Sequence, residues 1–315
     1  MREVASVLAA LVSFVACASA QPSVPFVLDA DTANEMDDMY AITQAVLDPQ
    51  ADLLLLTAAH FNNTEIVTKN RWHGYDMDGF DTLAASQAEN VRLLAALGDD
   101  TPALPGAPEM IGYSWGYFDG APVPTGPGID AIIAAARALP EGDRLTVLSV
   151  GPLTNVAAAI IAAPDIANRL DLWWLGTKYD VGTRVWNKNS FNARNDLNAL
   201  DYLLDREDVA LTIMPGMVAR QLMFSRERSM ACLATADAPV VPILRDRWDF
   251  VGAGPEWTMW DLALTLAVTH PDWATIETRA APPENARETV RVVTDIDAPA
   301  MEAHFWSLLA ADCMP

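Results

Sequence analysis

At 315 residues with 51% hydrophobic side chains, the chain has ample material for a packed core, which excludes a disordered or linker-like protein. Its net charge of −22 makes it a poor partner for nucleic acid or an anionic membrane, and suits a neutral or cationic ligand or a metal ion. Much of that acidity reads equally well as a solvated surface.

The first residues read as a leader. Arg2 precedes an apolar run at 4–16, and Ala18-Ser19-Ala20 has the small-residue pattern of a cleavage site. A signal peptide over 1–20 leaves a mature domain over 21–315 and a periplasmic or secreted location. Cys17 offers lipoprotein processing as the alternative. No later apolar run approaches the roughly 18 residues of a membrane span, so no membrane association is expected after cleavage. Export implies an oxidising compartment. Only Cys232 and Cys313 then remain, and the sequence leaves open whether they pair.

Next comes an apolar strand at 25–28 that runs into Asp29, Asp31, Glu35, Asp37 and Asp38, with a helix over 36–47. Asp29 and Asp31 are two apart, so on a strand they would share a face. Asp37 and Asp38 alone could be ordinary helix N-terminal acids. With Asp29 and Asp31 beside them, the repulsion calls for protons or a cation, and a hard oxygen-ligated ion such as Ca²⁺ fits best.

Further strands are expected at 52–58, 145–150, 170–175, 209–214 and 290–295. Helices are expected at 82–97, 128–139, 153–162, 196–204, 240–250, 259–268 and 298–310. Such alternation argues for an α/β fold: one domain with a mostly parallel central sheet and helices on both faces. The stretches 98–127 and 177–192 read as long loops, which are often functional.

Three more segments carry chemistry. Gly151-Pro152-Leu153-Thr154-Asn155 turns from a strand into a helix, with Thr154 and Asn155 as capping candidates. Ser190-Phe191-Asn192 precedes an acidic helix start at Asp196, where amides could bind sugar hydroxyls or cap the helix. Trp260-Asp261 heads an apolar helix, with Asp261 a dipole partner or a further cation ligand.

Taken in order, these blocks resemble the inosine-uridine-preferring nucleoside hydrolases, including their exported members, over nearly the whole mature chain. The resemblance implies a nucleoside hydrolase-like fold, Ca²⁺ at the strand carboxyl ends, and hydrolysis of the N-glycosidic bond of ribonucleosides or related N-ribosides. It implies Asp31, Asp38, Asp261 and the Val150 carbonyl as metal ligands. Asp31 would also be the base that deprotonates water, with Asp29 supporting it. Asp37, Asn62 and Asn192 would bind ribose. The family analogy further implies a small-molecule nucleoside partner and a homo-oligomer.

The chain departs from the family pattern at three places. The acidic turn is two residues longer than usual, Ser190 stands where the family has Glu, and Trp260 stands where several branches have a base-protonating His. His60 or His73 could approach the base instead, or Trp260 could stack on it. Two other readings compete: a non-catalytic periplasmic nucleoside- or sugar-binding protein, and a haloacid-dehalogenase-like phosphatase built on Asp29-x-Asp31. The phosphatase gives no role to Asp37, Asp38 or the Gly151 block.

Overall fold

The computed structural model describes residues 23–63, 66, 68–309 and 313. The expected leader at 1–20 and Cys17 lie outside these residues. An eight-stranded sheet organises the chain. Its strands are β1 (Val24–Ala30), β2 (Ala51–Ala58), β5 (Ala103–Pro105), β6 (Leu145–Ser149), β7 (Leu170–Leu175), β10 (Ala210–Met214), β13 (Ala274–Ala280) and β14 (Thr289–Ile296). Three two-stranded antiparallel sheets lie outside it: the hairpins β3 (Arg71–Trp72) with β4 (Tyr75–Asp76) and β8 (Lys178–Asp180) with β9 (Val185–Asn187), and the pair β11 (Met223–Ser225) with β12 (Glu256–Thr258), whose strands are joined through two helices.

Strand order is β13-β14-β10-β7-β6-β1-β2-β5, and β13 alone runs antiparallel to its neighbour. The inner strands bury both faces, which is why they read as apolar runs rather than clean alternations. Phe26, Leu28, Leu56, Leu148 and Trp173 pack with helices Asp37–Leu47, Trp260–Thr269 and Ala298–Leu309. Val27, Leu55, Val147, Leu172 and Trp174 pack on the other side with helices Pro127–Ala138, Thr154–Ala162 and Leu197–Leu204. The expected α/β architecture, mostly parallel with helices on both faces, is what the chain forms.

Several boundaries differ from the sequence reading. The expected helix over 196–204 forms as Leu197–Leu204, but a short helix, Phe191–Asn195, precedes it; the two are separated at Asp196, which leaves the helical conformation and caps the second through Ala199 N–H at 2.9 Å. The stretch 98–127 is not all loop, since β5 adds an edge strand. The stretch 177–192 contains the β8–β9 hairpin. Strand β13 had no sequence signal: as an edge strand it is mostly polar and half exposed.

Cys232 and Cys313 form a disulfide with Cα atoms 5.3 Å apart, fastening the chain's end to helix Arg226–Thr235. No helix among the described residues is long and apolar enough to cross a membrane.

One polar knot pins two helix ends to the middle of helix Ala298–Leu309. Asp48 Oδ2 accepts from Gln44 Nε2 at 2.8 Å and lies 2.7 Å from His270 Nε2 and 2.9 Å from His304 Nε2. Burial alone would raise the Asp48 pKa, but the hydrogen bonds from His270, His304, the Gln50 N–H and Gln44 outweigh it and hold the carboxyl well below the usual carboxylate range. A depressed folded-state pKa contributes stability above the unfolded value and loses it as pH falls. Asp48→Ala should therefore lower unfolding free energy by on the order of 3 kcal/mol at neutral pH. The difference from wild type should shrink as pH drops below about 4. Denaturant titrations at several pH values check this, and a pH-independent difference would contradict it.

Candidate active site

The parallel strands β1 and β6 pair with Asp29 opposite Ser149, so residues just past them leave the sheet at the same edge. That edge is where open α/β sheets bind ligands. After β1 the chain turns through residues 31–36 before helix Asp37–Leu47 begins. Gly151 makes the turn possible, because a Cβ there would sit 2.9 Å from Asp31 Oδ1. The buried Arg247 holds the turn from outside. Its Nε donates to the Glu35 carbonyl at 2.8 Å and its Nη2 to the Ala33 carbonyl at 2.6 Å, while the guanidinium lies over the Phe250 ring at 4.6 Å.

Helix Trp260–Thr269 starts against the same point. The Asp261 N–H donates to Asp37 Oδ2 at 3.2 Å. Asp37, Asp38 and Asp261 are all buried and offer oxygens within 4.8 Å of one another. The Asp38 and Asp261 carboxyls hydrogen-bond each other, which requires a shared proton unless a cation intervenes. Asp31 Oδ2, Asp37 Oδ1 and Asp38 Oδ1 are buried with no partner among the described residues.

Burial, reinforced by mutual repulsion, pushes the carboxyl pKa values up. Asp31, Glu35 and Asp261 are raised well above the usual range. Asp38 rises to about 8, chiefly through burial and then the charge of Asp37; Asp37 rises to about 6 through burial, against hydrogen bonds from Asp261. Orphaned buried carboxylate oxygens with no nitrogen or sulfur ligand among them fit a hard divalent cation.

These acids form one end of a cavity of about 470 Å³. Of the residues singled out in the sequence, Asp31, Asp37, Asp38, Val150, Asn192, Trp260 and Asp261 all line it. Phe191, Met217 and Trp260 supply an apolar wall. Asn192 Nδ2 donates to the carbonyls of Val150 at 2.5 Å and Leu175 at 2.9 Å, tying together the ends of β6 and β7. That amide group is therefore occupied by the scaffold.

Three expected site residues lie elsewhere. Asp29 does not share a face with Asp31, because Asp31 lies past the end of the strand. Asp29 is fully buried away from the cavity lining, accepting from Thr57 Oγ1 and Asn155 Nδ2, each at 2.7 Å, and from Ser149 Oγ at 3.1 Å. Burial raises its pKa to about 6 against those bonds. His60 is fully buried, with Nε2 3.1 Å from Thr154 Oγ1 and Nδ1 accepting from the Asn62 N–H. Burial lowers its pKa to about 4, so it is neutral and cannot reach a ligand. Asn62 spends its side chain on the Pro108 carbonyl and on Thr82 Oγ1. His73 contacts the Val251 carbonyl, and no histidine lines the cavity.

Asn155, read as a capping residue, is a strut instead. Its Oδ1 accepts from Ala107 N–H, and its Nδ2 reaches both Asp29 and the Ala58 carbonyl. The sequence reading gave no role to Glu35, Arg247, Thr177, Lys178, Arg194 or Arg220. Glu35 lay within the flagged acidic segment. Arg247 is 212 residues from its Glu35 partner and left no local signal.

Fold and site together define an α/β protein with a candidate oxygen-ligand cation site at the strand carboxyl ends. The chain belongs to the inosine-uridine preferring nucleoside hydrolase family, whose profile matches residues 26–303, and so to a family of enzymes. An uncharacterised protein of Schizosaccharomyces pombe is 28% identical over 223 residues, 67% of this chain and 68% of that one. The non-specific ribonucleoside hydrolase RihC of Escherichia coli is 30% identical over 146 residues, so the match spans only 45% of this chain and 44% of that enzyme. A solved plant nucleoside hydrolase, PpNRh1, superposes with a TM-score of 0.67 at 16% identity, covering 92% of this chain and 100% of that one.

A cation that binds only the folded state at 100 times its Kd stabilises by about 2.7 kcal/mol. Adding Ca²⁺ to chelator-treated protein should therefore raise Tm by several degrees, measured by scanning fluorimetry. Asp38→Ala and Asp261→Ala should lose that shift; an undiminished shift in either would contradict the assignment.

Proposed function

We propose that the chain hydrolyses the N-glycosidic bond of ribonucleosides or related N-ribosides, with Ca²⁺ as its cation. The observation that carries this reading is the convergence of buried, partnerless carboxylate oxygens at one end of a cavity with an aromatic wall. Asp31, Asp38, Asp261 and the Val150 carbonyl would hold the ion, with Asp37 close enough to join them. The Val150 oxygen accepts from Asn192 but keeps a second lone pair. A divalent cation there supplies positive charge that acidifies and orients a water molecule.

Asp31, which lines the cavity with a partnerless carboxylate oxygen, would take the proton from the attacking water. A bond forms from the water oxygen to C1′, the C1′–N bond breaks, the water proton passes to Asp31, and the departing nitrogen gains a proton. The bond breaks through an oxocarbenium-like state, as in other glycoside cleavage. Neighbouring carboxylates such as Asp37 stabilise its positive charge. Phe191 and Trp260 offer flat surfaces for the base. With every histidine outside the cavity, the proton for the departing base comes from a non-histidine group or from water.

Export to an oxidising compartment is part of the same proposal, supported by the leader-like 1–20 segment and the Cys232–Cys313 bond.

A panel of purine and pyrimidine nucleosides assayed for reducing sugar tests the reading. Base release should require divalent cation, and Asp31→Asn should lower kcat by about 10²–10⁴-fold. Nucleoside binding without base release, or unchanged activity of Asp31→Asn, would overturn it.

A further inference from the structure

The cavity has a basic stretch of lining as well as an acidic one. In a chain of net charge −22, Lys178, Arg194 and Arg220 all line it. They emanate from one junction. Thr177 N–H donates to Ser190 Oγ at 2.8 Å, and the Thr177 carbonyl accepts from the Gly216 N–H at 3.1 Å. Lys178 follows Thr177 directly. Arg194 lies one helical turn beyond Ser190, and Arg220 one turn beyond Gly216. Lys178 and Arg220 form no ion pair with an acid among the described residues.

Thr177 itself is unusual. It is fully buried and lines the cavity, yet its Oγ1 has no hydrogen-bond partner. Its φ is 63°, a left-handed conformation that is costly for a β-branched residue. Strain of that kind persists where the surroundings enforce it, and it clusters at ligand-binding positions. An unsatisfied buried hydroxyl in a cavity also lined by three exposed cationic side chains is matched by a ligand rich in anionic acceptor oxygens.

We propose that this basic stretch of the cavity is a phosphate site, and that the substrate class is a phosphorylated N-riboside such as a nucleoside 5′-phosphate. This rests on the hydrolase reading above. The reaction is the same hydrolysis, yielding free base and ribose 5-phosphate. The acidic stretch, with its cation, takes the ribose ring at C1′; the basic stretch takes the phosphate. Under this proposal the ligand is anionic, where net charge alone suggests a neutral or cationic ligand or a metal ion. Ser190 fits this arrangement: it brings no negative charge to the junction and turns its oxygen to the Thr177 N–H.

Calorimetry with Ca²⁺ present, comparing ribose 5-phosphate with ribose, tests the site without turnover. Wild type should bind ribose 5-phosphate at least about tenfold more tightly, and the Lys178→Ala/Arg220→Ala double variant should lose that preference. The preference should also weaken as salt rises. Equal binding of the two sugars, or a preference untouched by the double variant, would overturn the proposal. A parallel assay compares base release from a nucleoside and its 5′-monophosphate. Base release from both without preference refutes the phosphate site and leaves the hydrolase reading standing. Variant-sensitive phosphate binding with no base release from either compound supports the site and refutes the hydrolase reading.

Discussion

Repulsion between carboxylates that the fold will not let apart is the constraint on which the rest of this site depends. Asp31, Asp37, Asp38 and Asp261 come from two segments more than 200 residues apart in sequence, and each is buried. Nothing in their own chemistry would bring them together. Apolar packing does so: helices Asp37–Leu47 and Trp260–Thr269 share one hydrophobic cluster against β1. The energy of that packing holds the charges close, and the site is left with unmet demand for positive charge. Arg247 answers little of it, since its nitrogens are spent on backbone carbonyls and on the Tyr75 hydroxyl.

Beneath the carboxylates lies a layer whose function is rigidity. Asp29 joins β1, β2 and β6 through Thr57, Ser149 and Asn155. Asn155 in turn occupies the space over Gly106, where a Cβ would collide with it at 2.2 Å. Trp174 Nε1 donates to the Gly151 carbonyl at 2.9 Å, fixing the turn that receives Asp31. His60 continues the layer through Thr154 to Asp196. Such networks restrict the positions open to the groups above them, and fully satisfied polar networks specify one arrangement of a core. Asp29 therefore acts on the site through neighbours rather than by touching a ligand.

The sequence revealed what is local and periodic. The buried inner strands announced themselves as apolar runs, and the acidic segment after β1 stood out because so many charges followed so short a strand. The Gly151 turn was legible as a turn, though not as the gap that admits Asp31. What sequence could not convey was direction. Asp29 and Asp31 obey strand alternation only if both lie in the strand, and β1 stops between them. Asn62 and His60 looked available on a loop, yet His60 folds inward and Asn62, though exposed, spends its polar atoms on the scaffold. Arg247 and Thr177 were invisible for a related reason: one acts across the fold, and the other matters through a backbone angle.

The central claim is that one cation replaces the missing protons among these oxygens. Anomalous diffraction from crystals soaked in a calcium salt tests it most directly. A single strong peak surrounded by oxygens of Asp31, Asp38, Asp261 and Val150 is expected. Soaked crystals with no ion in that cluster, and Asp38 still hydrogen-bonded to Asp261, would contradict it.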